Sequence, residues 1–189
     1  MSESFLETIK IVDGEIYNIE YHQKRYESVL ESLGVYDFKE LHAYINPPLS
    51  GIVKCRIVYD AKNLTASYQE YRKRDIASLK LVYDDKIEYD KKSTCRDDID
   101  RLYEKKDTCD DILIVKNSLI SDTSIANVAF YKDGIWYTPK QPLLMGTTRQ
   151  RLLQSAKIVP KDIAVDELPT YSKVALLNAM IDFDIIQKN

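Results

Sequence analysis

The stretch ISDTSIAN, from Ile120 to Asn127, and the segment TPKQPLLMGTTRQRLL, from Thr138 to Leu153, carry the most information about this chain. The first contains one acidic residue, Asp122, among small hydroxyl residues, and it ends on Asn127. The second contains a Gly-Thr-Thr-Arg sequence, which begins at Gly146 and leads into a predicted helix. A lysine-containing segment, KKSTCR, precedes both. Together they offer an acid, an amine and a candidate anion-binding turn.

Gly146 is the most informative of the five glycines in the chain. Gly14 and Gly134 follow aspartates in predicted hairpin turns, and Gly34 follows a predicted helix as a C-cap. Gly146 instead precedes two threonines and a helix predicted from Arg149 to about Ala156. Unpaired N–H groups at a helix start bind anions, so we expect a phosphate site here. The alternative is an ordinary threonine N-cap.

Asp122 lies five residues before Asn127 and is flanked by hydroxyl side chains. Donors from Ser121, Thr123 and Ser124 would hold its carboxylate in the ionised form. An ionised carboxylate at this position could pair with a protonated ring nitrogen. The alternative is an Asx-turn, which is common for an aspartate in a Ser/Thr-rich segment.

Lys91 and Lys92 stand shortly before Arg96. A lysine whose pKa is lowered by a nearby cation is a competent Schiff-base nucleophile. A pair of lysines is also typical of a solvated surface. Each of these patterns has an ordinary structural interpretation, and only their order and spacing favour a site for a phosphorylated, ring-bearing cofactor.

The N-terminal third of the chain predicts a β-hairpin followed by a helix. Residues 5–12 and 15–19 alternate apolar and polar around Asp13-Gly14, a strong hairpin signal. The pattern from Tyr21 to Leu33 has helical spacing. His22 and Arg25 share one face near the start of this helix, and we interpret them as a surface or hydrogen-bonding pair.

Arg56 lies in the next predicted strand, which follows a short predicted helix from Phe38 to Ile45 and the Pro47-Pro48 pair. Alternation places it on one strand face with Ile52, Lys54 and Val58. An arginine buried among apolar neighbours needs an anionic partner, either carboxylate or phosphate.

Further strand and helix patterns favour an α+β chain with a charged connector. Strands are predicted at 64–71 and 77–82, which completes an N-terminal domain of residues 1–82. The charged connector covers 83–92, and a larger C-terminal domain covers 93–189. In that domain we expect a helix at 97–106, strands at 112–115, 119–120, 128–131 and 135–137, and a mixed tail from 165 to 186.

Composition excludes several classes of function. The chain has 189 residues, 44% of them hydrophobic, and a net charge of −3 with both signs interspersed. We therefore expect a globular protein that binds neither nucleic acid nor membrane. Three cysteines without CxxC spacing and two histidines favour reduced thiols and no metal site. The N-terminus lacks the pattern of a signal peptide, and we expect a cytoplasmic protein.

The order of motifs along nearly the whole chain resembles the class IV aminotransferase superfamily, the fold-type IV enzymes that use pyridoxal 5′-phosphate. The D-x₄-N spacing and the G-x-T-R motif are the specific parts of this resemblance. The matching residues are Glu7-Thr8-Ile9, Asp13-Gly14, His22 with Arg25, Arg56, Lys92 with Arg96, Asp122 with Asn127, Thr138-Pro139 and Leu144 to Leu152.

The resemblance implies a two-domain α+β fold, with a small N-terminal domain and a larger C-terminal domain that has a β-barrel-like core. Lys92, whose spacing to Arg96 matches the family, would bond covalently to the cofactor and act in catalysis. Asp122 would pair with the pyridine nitrogen. The complete implied cofactor-binding set is Arg56, Lys92, Arg96, Asp122, Ser124, Ile125, Ala126, Asn127, Gly146, Thr147 and Thr148, of which Arg56, Thr147 and Thr148 would bind the phosphate.

Two departures from the family pattern accompany this resemblance. Asp122 stands where the family normally has Glu, and Leu177-Asn178 replaces a Thr-Asn pair near the C-terminus. The chain is also shorter than most family members.

Within the superfamily, the compact form is most similar to the 4-amino-4-deoxychorismate lyases, which release pyruvate and 4-aminobenzoate for folate synthesis. The resemblance thus implies a small-molecule amine substrate and a homodimer. A transaminase acting on a branched-chain or D-amino acid is the alternative, and a degenerate binding module is a third.

Overall fold

The computed structural model describes residues 3–186, and these residues form two compact units. The first unit comprises the described part of Met1–Lys73 together with Lys91–Cys95. The second comprises Arg74–Asp90 and the described part of Arg96–Asn189. The described residues form a mixed α/β structure with three sheets, which confirms the predicted mixture of helices and strands.

A four-stranded antiparallel sheet forms the first unit, in the order β2-β1-β3-β4. The predicted hairpin at Asp13-Gly14 is confirmed, and both residues have the positive φ that this turn requires. The strands are β1 (Phe5–Val12), β2 (Glu15–Ile16), β3 (Ile52–Tyr59) and β4 (Leu64–Glu70).

One face of this sheet packs against helix α1 (Ile19–Ser32). Tyr26 of α1 meets Tyr59 of β3 edge to face, with ring centroids 4.8 Å apart. Gly34, with φ of 75°, follows the helix as predicted. The second predicted helix is shorter in the structure. Only a 3-10 turn forms, over Leu41–Tyr44, and the backbone is extended on both sides of it.

The segment around Ser93 pairs with the N-terminal half of β1. Leu6 N donates to Lys92 O at 2.9 Å, and Thr94 N donates to Ser4 O at 2.9 Å. These backbone hydrogen bonds place Lys91–Cys95 in the first unit. This differs from the predicted start of the C-terminal domain at residue 93.

Two sheets form the second unit. The three-stranded sheet has the order β5-β6-β7 and the five-stranded sheet the order β10-β9-β8-β11-β12. The strands are β5 (Leu79–Tyr83), β6 (Asp111–Lys116), β7 (Leu119–Thr123), β8 (Asn127–Lys132), β9 (Ile135–Pro139), β10 (Val159–Lys161), β11 (Lys173–Asn178) and β12 (Asp182–Ile186).

Strand β5 pairs in parallel with β6, with Leu81 opposite Leu113. It therefore lies in the second unit, whereas the sequence predicted this strand within residues 1–82. A parallel partner lies far along the chain, and local pattern does not reveal such a pairing.

Helices of the second unit are short. Helix α2 (Asp97–Tyr103) continues into a 3-10 turn, and helix α3 (Thr147–Gln154) begins two residues before the predicted start. The mixed tail resolves into the 3-10 turn Val165–Thr170 followed by β11 and β12. Leu152, in the last turn of α3, packs in one apolar cluster with Ala129 and Ala175 of the five-stranded sheet, which holds the helix against that sheet. Between residues 3 and 186, no helix has the length and apolar character that a membrane crossing needs.

Candidate functional site

The carboxyl group of Asp122 is buried near the end of β7. Asn127 Nδ2 donates to its Oδ1 at 2.8 Å, and Leu144 N donates to its Oδ2 at 3.0 Å. Burial raises the pKa of Asp122 to about 6, against the opposing effects of these hydrogen bonds and of the Arg149 charge. The acid therefore has two neutral hydrogen-bond donors and an increased affinity for a proton.

The prediction that neighbouring hydroxyls hold Asp122 ionised is wrong. Thr123 Oγ1 instead accepts from Ala126 N at 3.0 Å and closes the tight turn that connects β7 to β8. Ser121 Oγ donates to Gln141 O. These short side chains bond to nearby backbone, as Ser and Thr commonly do. The carboxyl consequently has a raised pKa and not a lowered one.

Asn127 joins the acid to the turn before α3. Its Nδ2 donates to Asp122 and also to Leu144 O, at 2.9 Å. A Cβ added to Gly146 would lie 2.0 Å from Asn127 Oδ1, closer than real Cβ contacts allow. Gly146 has extended backbone, so the requirement for glycine comes from this close approach and not from a positive φ.

The start of α3 presents the features of an anion site. Its N-cap is Gly146, which has no side chain to cap the helix. Thr147 and Thr148 follow, and both are buried. Arg149 is also buried and donates through Nη2 to Pro139 O at 2.8 Å. First-turn N–H groups with two adjacent hydroxyls suit a phosphate group.

The remaining predicted residues of the second unit surround the turn after β7. Ser124 and Ala126 are buried, whereas Ile125 is exposed. Arg96 Nη2 donates to Ser124 O at 2.8 Å, so this arginine holds the turn through its backbone. Asp122, Asn127 and Gly146 are thus brought together, with Ser124, Ala126 and Arg96 adjoining them.

Lys92 lies in the first unit, where it is half-buried on the segment that pairs with β1. Lys91 is half-buried as well. Exposure therefore does not discriminate between the two lysines, and the choice of Lys92 stays a prediction.

Arg56 is exposed, so the argument that it is buried and needs an anion is wrong. It stands opposite Thr8 of β1 and Ser67 of β4, on the sheet face that α1 does not cover. The covered face carries Val53, Cys55, Ile57 and Tyr59. A role for Arg56 at a phosphate stays a prediction without the support of burial.

Sequence reasoning missed a buried charge cluster in the first unit. Glu7 is fully buried on β1 and accepts from Arg25 Nε at 2.8 Å and Arg25 Nη2 at 2.5 Å. His22 Nδ1 lies 2.6 Å from Glu7 Oε2, and His22 is 1% exposed. The surface alternative for His22 and Arg25 is therefore wrong, whereas the hydrogen-bonding alternative is confirmed, with Glu7 as the partner of both. The signal that the sequence offered for this cluster was an acidic residue on the apolar face of an alternating strand, since Glu7 shares that face with Phe5 and Ile9.

The pKa values of this cluster follow from burial and charge. Burial raises the pKa of Glu7, but the Arg25 charge and the hydrogen bonds from His22 and Arg25 outweigh it and lower that pKa to about 2. Burial lowers the pKa of His22, and the charges of Arg25 and Lys92 act in the same direction, whereas the hydrogen bond to Glu7 and the Glu7 charge oppose this and do not outweigh it. Glu7 is therefore ionised and His22 is neutral near pH 7.

The second unit also has a pocket of about 410 Å³. Its lining includes Ser121 and Leu143, the neighbours of Asp122 and Leu144, together with Tyr89, Lys116 and Lys140. None of the predicted site residues lines it.

Comparison with known proteins identifies the family of the chain. The model of the amino-transferase class IV family matches residues 54–187. The chain belongs to this family. The prediction of a pyridoxal 5′-phosphate-dependent enzyme is thereby confirmed, since enzymes of this family use that cofactor.

Two relatives extend the family likeness over more than nine-tenths of the chain. A Haemophilus influenzae protein without a named function is 34% identical over 180 residues, which are 92% of this chain and 96% of the relative. A Schizosaccharomyces pombe protein provisionally named an aminodeoxychorismate lyase is 26% identical over 95% of this chain and 87% of its own.

Solved structures show the same fold. A Haemophilus somnus protein provisionally named a 4-amino-4-deoxychorismate lyase superposes with a TM-score of 0.87 at 32% identity, over 95% of this chain and 97% of that one. A Brucella abortus aminotransferase, solved with bound pyridoxal 5′-phosphate, superposes with a TM-score of 0.74 at 12% identity, over 97% and 80%.

The second unit of this class IV aminotransferase fits the cofactor at two points. The hydrogen-bond donors to the buried Asp122 carboxyl are neutral, and a protonated ring nitrogen would add a positively charged donor. The start of α3 offers N–H groups and the hydroxyls of Thr147 and Thr148 to a phosphate. Both features are linked by Asn127.

Proposed function

We propose that this class IV aminotransferase is a 4-amino-4-deoxychorismate lyase, which forms 4-aminobenzoate and pyruvate. The observation that carries the proposal is the 32% identical Haemophilus somnus structure, provisionally named for this activity, which matches over 95% of the chain with a TM-score of 0.87. The Schizosaccharomyces pombe relative, provisionally named in the same way, supports it independently. The product 4-aminobenzoate would serve folate synthesis.

Bound pyridoxal 5′-phosphate supplies an electron-withdrawing ring that weakens bonds at the carbon carrying the substrate amine. The residues of the chain have separate tasks around it. Lys92 would form the covalent bond to the cofactor, and its Nζ, once free, would move protons. Asp122 would hold the proton on the ring nitrogen, and the helix start with Thr147 and Thr148 would bind the phosphate.

The remaining predicted residues have supporting parts in this proposal. Arg96 would hold the turn after β7 through its hydrogen bond to Ser124 O, and Ser124, Ile125 and Ala126 would form the wall beside the ring. Arg56 would contribute positive charge for the phosphate from the exposed face of its sheet.

We also propose that the two compact units are the small and large domains of a fold-type IV enzyme. The family resemblance adds a barrel-like core for the larger domain, a homodimeric assembly and a small-molecule amine substrate. Size-exclusion chromatography with light scattering tests the assembly, and a single-chain mass would exclude the dimer.

A turnover assay tests the proposed reaction. Purified protein loaded with pyridoxal 5′-phosphate is given aminodeoxychorismate and no keto acid, and 4-aminobenzoate and pyruvate are quantified. We expect the two products in equal amounts, with loss of turnover in Lys92→Ala. Consumption of a branched-chain or D-amino acid, with a keto acid as the required acceptor, would instead establish a transaminase.

A further inference from the structure

The Asn127 amide uses both of its N–H donors inside the second unit. One bonds to Asp122 Oδ1 at 2.8 Å and the other to Leu144 O at 2.9 Å. Asn127 is buried, and a primary amide has only these two donor hydrogens. The amide nitrogen therefore has no donor left for a ligand.

Leu144 closes a ring of hydrogen bonds with these two residues. Its N–H donates to Asp122 Oδ2 at 3.0 Å, and its carbonyl accepts from both Asn127 Nδ2 and Gly146 N, the latter at 2.9 Å. Movement of the acid would break bonds to the backbone that leads directly into α3. Hydrogen bonds of Asn127 and of the Leu144 backbone therefore connect the Asp122 carboxyl to the start of α3.

Gly146 completes the arrangement from the other side. The Asn127 oxygen lies so close to the Gly146 backbone that a Cβ there would meet it at 2.0 Å. The backbone of Gly146, with φ of −66° and ψ of 141°, is one that alanine adopts without strain. The Asn127 side chain is therefore the obstacle to a larger residue at position 146.

We propose that Asn127 is a positioning residue that fixes the Asp122 carboxyl to the turn before α3, so that the acid and the phosphate-binding helix start keep one relative placement. This rests on the proposed roles of Asp122 and the helix start. Asn127 then acts through Asp122 and Leu144, whereas the family resemblance counts it among the cofactor-binding residues.

Titration of the Asp122 carboxyl in the full-length protein without cofactor tests this directly. It can be followed by NMR of ¹³C-labelled aspartate, with Asp122→Asn used to assign the signal. Asn127→Ala removes a donor to the ionised carboxyl, and such hydrogen bonds contribute strongly when buried. We expect the proton affinity of Asp122 to rise about tenfold. Arg149, the charged group whose field acts on this carboxyl, is kept in every variant.

Two further variants separate positioning from general loosening of the turn. Thr123→Ala removes the side chain that holds the same turn through Ala126, but it leaves the bonds of Asn127 intact. It should leave the Asp122 titration unchanged. Gly146→Ala pushes the Asn127 amide aside and should raise the proton affinity of Asp122 as Asn127→Ala does.

The Asn127→Ala/Gly146→Ala double variant supplies the decisive comparison. If the Asn127 side chain is the obstacle at position 146, the double variant titrates like Asn127→Ala alone. The dissociation constant for pyridoxal 5′-phosphate, measured for the two site variants, should rise about ten- to hundredfold in Asn127→Ala and in Gly146→Ala.

An unchanged Asp122 titration in Asn127→Ala, an equal shift in Thr123→Ala, or additive effects of the two site variants would each overturn the proposal. Circular dichroism shows that each variant is folded, and Gly146→Ala keeps the test available if Asn127→Ala does not fold. These readouts need no turnover, so a protein without lyase activity would leave them intact and contradict only the proposed function.

Discussion

Arg25 Nε and Nη2 donate side by side to the two carboxylate oxygens of Glu7, at 2.8 and 2.5 Å, inside the core of the first unit. A carboxylate with no exposed surface is stable there only because a cation compensates its charge. The helix that supplies Arg25 is thereby anchored to the strand that supplies Glu7.

Replacing Glu7 with Gln should destabilise the protein by about 3 kcal/mol, because the Arg25 charge loses its partner in a buried position. Urea unfolding followed by tyrosine fluorescence measures the change. Glu31→Gln, a change at an exposed position of α1, the helix that carries Arg25, is the control and should stay within about 0.5 kcal/mol of the parent. Equal stability of the two variants would contradict a stabilising role for the Glu7 pair.

The lowered pKa of Glu7 also predicts a pH dependence. Between pH about 2 and 4.5 the folded state leaves this carboxyl ionised while the unfolded state binds a proton. Stability should therefore rise with pH through that window, by up to about 3 kcal/mol, and the gain is lost as pH falls. Thermal unfolding at closely spaced pH values, with Glu7→Gln as the reference, isolates this contribution.

Asp122 should give the opposite slope at higher pH. Its pKa is raised to about 6 from 3.8, so the folded state without cofactor holds a proton that the unfolded state has released. Stability should fall by up to about 3 kcal/mol as pH rises from about 4 to 6, and then stay level. In Asp122→Asn this slope should vanish, whatever the absolute stability of the variant. If stability still falls with pH in this way after the substitution, the pH dependence arises from another group.

Borohydride reduction should attach the cofactor permanently to Lys92. Intact-mass and peptide mass spectrometry of the reduced protein would then place the added mass on the peptide containing residue 92. Lys91→Ala should retain the adduct, and Lys92→Ala should lose it. Since both lysines are half-buried, this pair of variants decides between them.

The phosphate interaction can be separated from the ring interaction by comparing pyridoxal 5′-phosphate with pyridoxal. Thr148→Ala should weaken binding of the phosphorylated form by about tenfold, the contribution of one hydrogen bond to a charged group. Binding of pyridoxal should change little, and Thr148→Ser should restore affinity for the phosphate ester. Equal losses for both ligands would show that Thr148 does not contact the phosphate.

Matched substitutions at Tyr59 and Tyr26 measure how a buried hydroxyl group affects the free energy of unfolding. Within residues 3–186, the Tyr59 hydroxyl is buried without a hydrogen-bond partner, whereas the Tyr26 hydroxyl accepts from Lys39 N at 3.3 Å. Tyr59→Phe should leave stability unchanged or raise it by up to about 1 kcal/mol, and Tyr26→Phe should lower it by about 1 kcal/mol. Chemical unfolding at pH 7 measures both changes.

Local chemistry made part of this fold predictable. The Asp13-Gly14 turn was predictable because few residue pairs adopt two successive positive φ angles, and the helix after it because its apolar residues recur at helical spacing. The grouping of Asp122 with Asn127 and Gly146 followed from motif order, and the structure brings those three together.

Tertiary contacts decided what sequence patterns left open. Alternation in β3 separates Arg56 from Cys55, but it does not tell which face α1 covers, and the arginine is on the open face. The donors to Asp122 come from Asn127 and from a backbone group 22 residues away, where the sequence offered adjacent hydroxyls. The alternation of β1 indicates an acid on its apolar face, but the cation that pairs with Glu7 lies on a separate helix, and only the fold brings the two together.

The backbone bonds between Ser4–Leu6 and Lys92–Thr94 have a consequence for synthesis of the chain. During synthesis on the ribosome, the first 73 residues of this unit emerge before Arg74. The strand edge at Ser4–Leu6 still has no partner at that stage, because its partner segment is complete only when residue 95 has emerged. A fragment that stops at Lys73 would leave that strand edge open to pairing with other chains. The amine expected to hold the cofactor therefore arrives on the last piece needed to finish the N-terminal sheet.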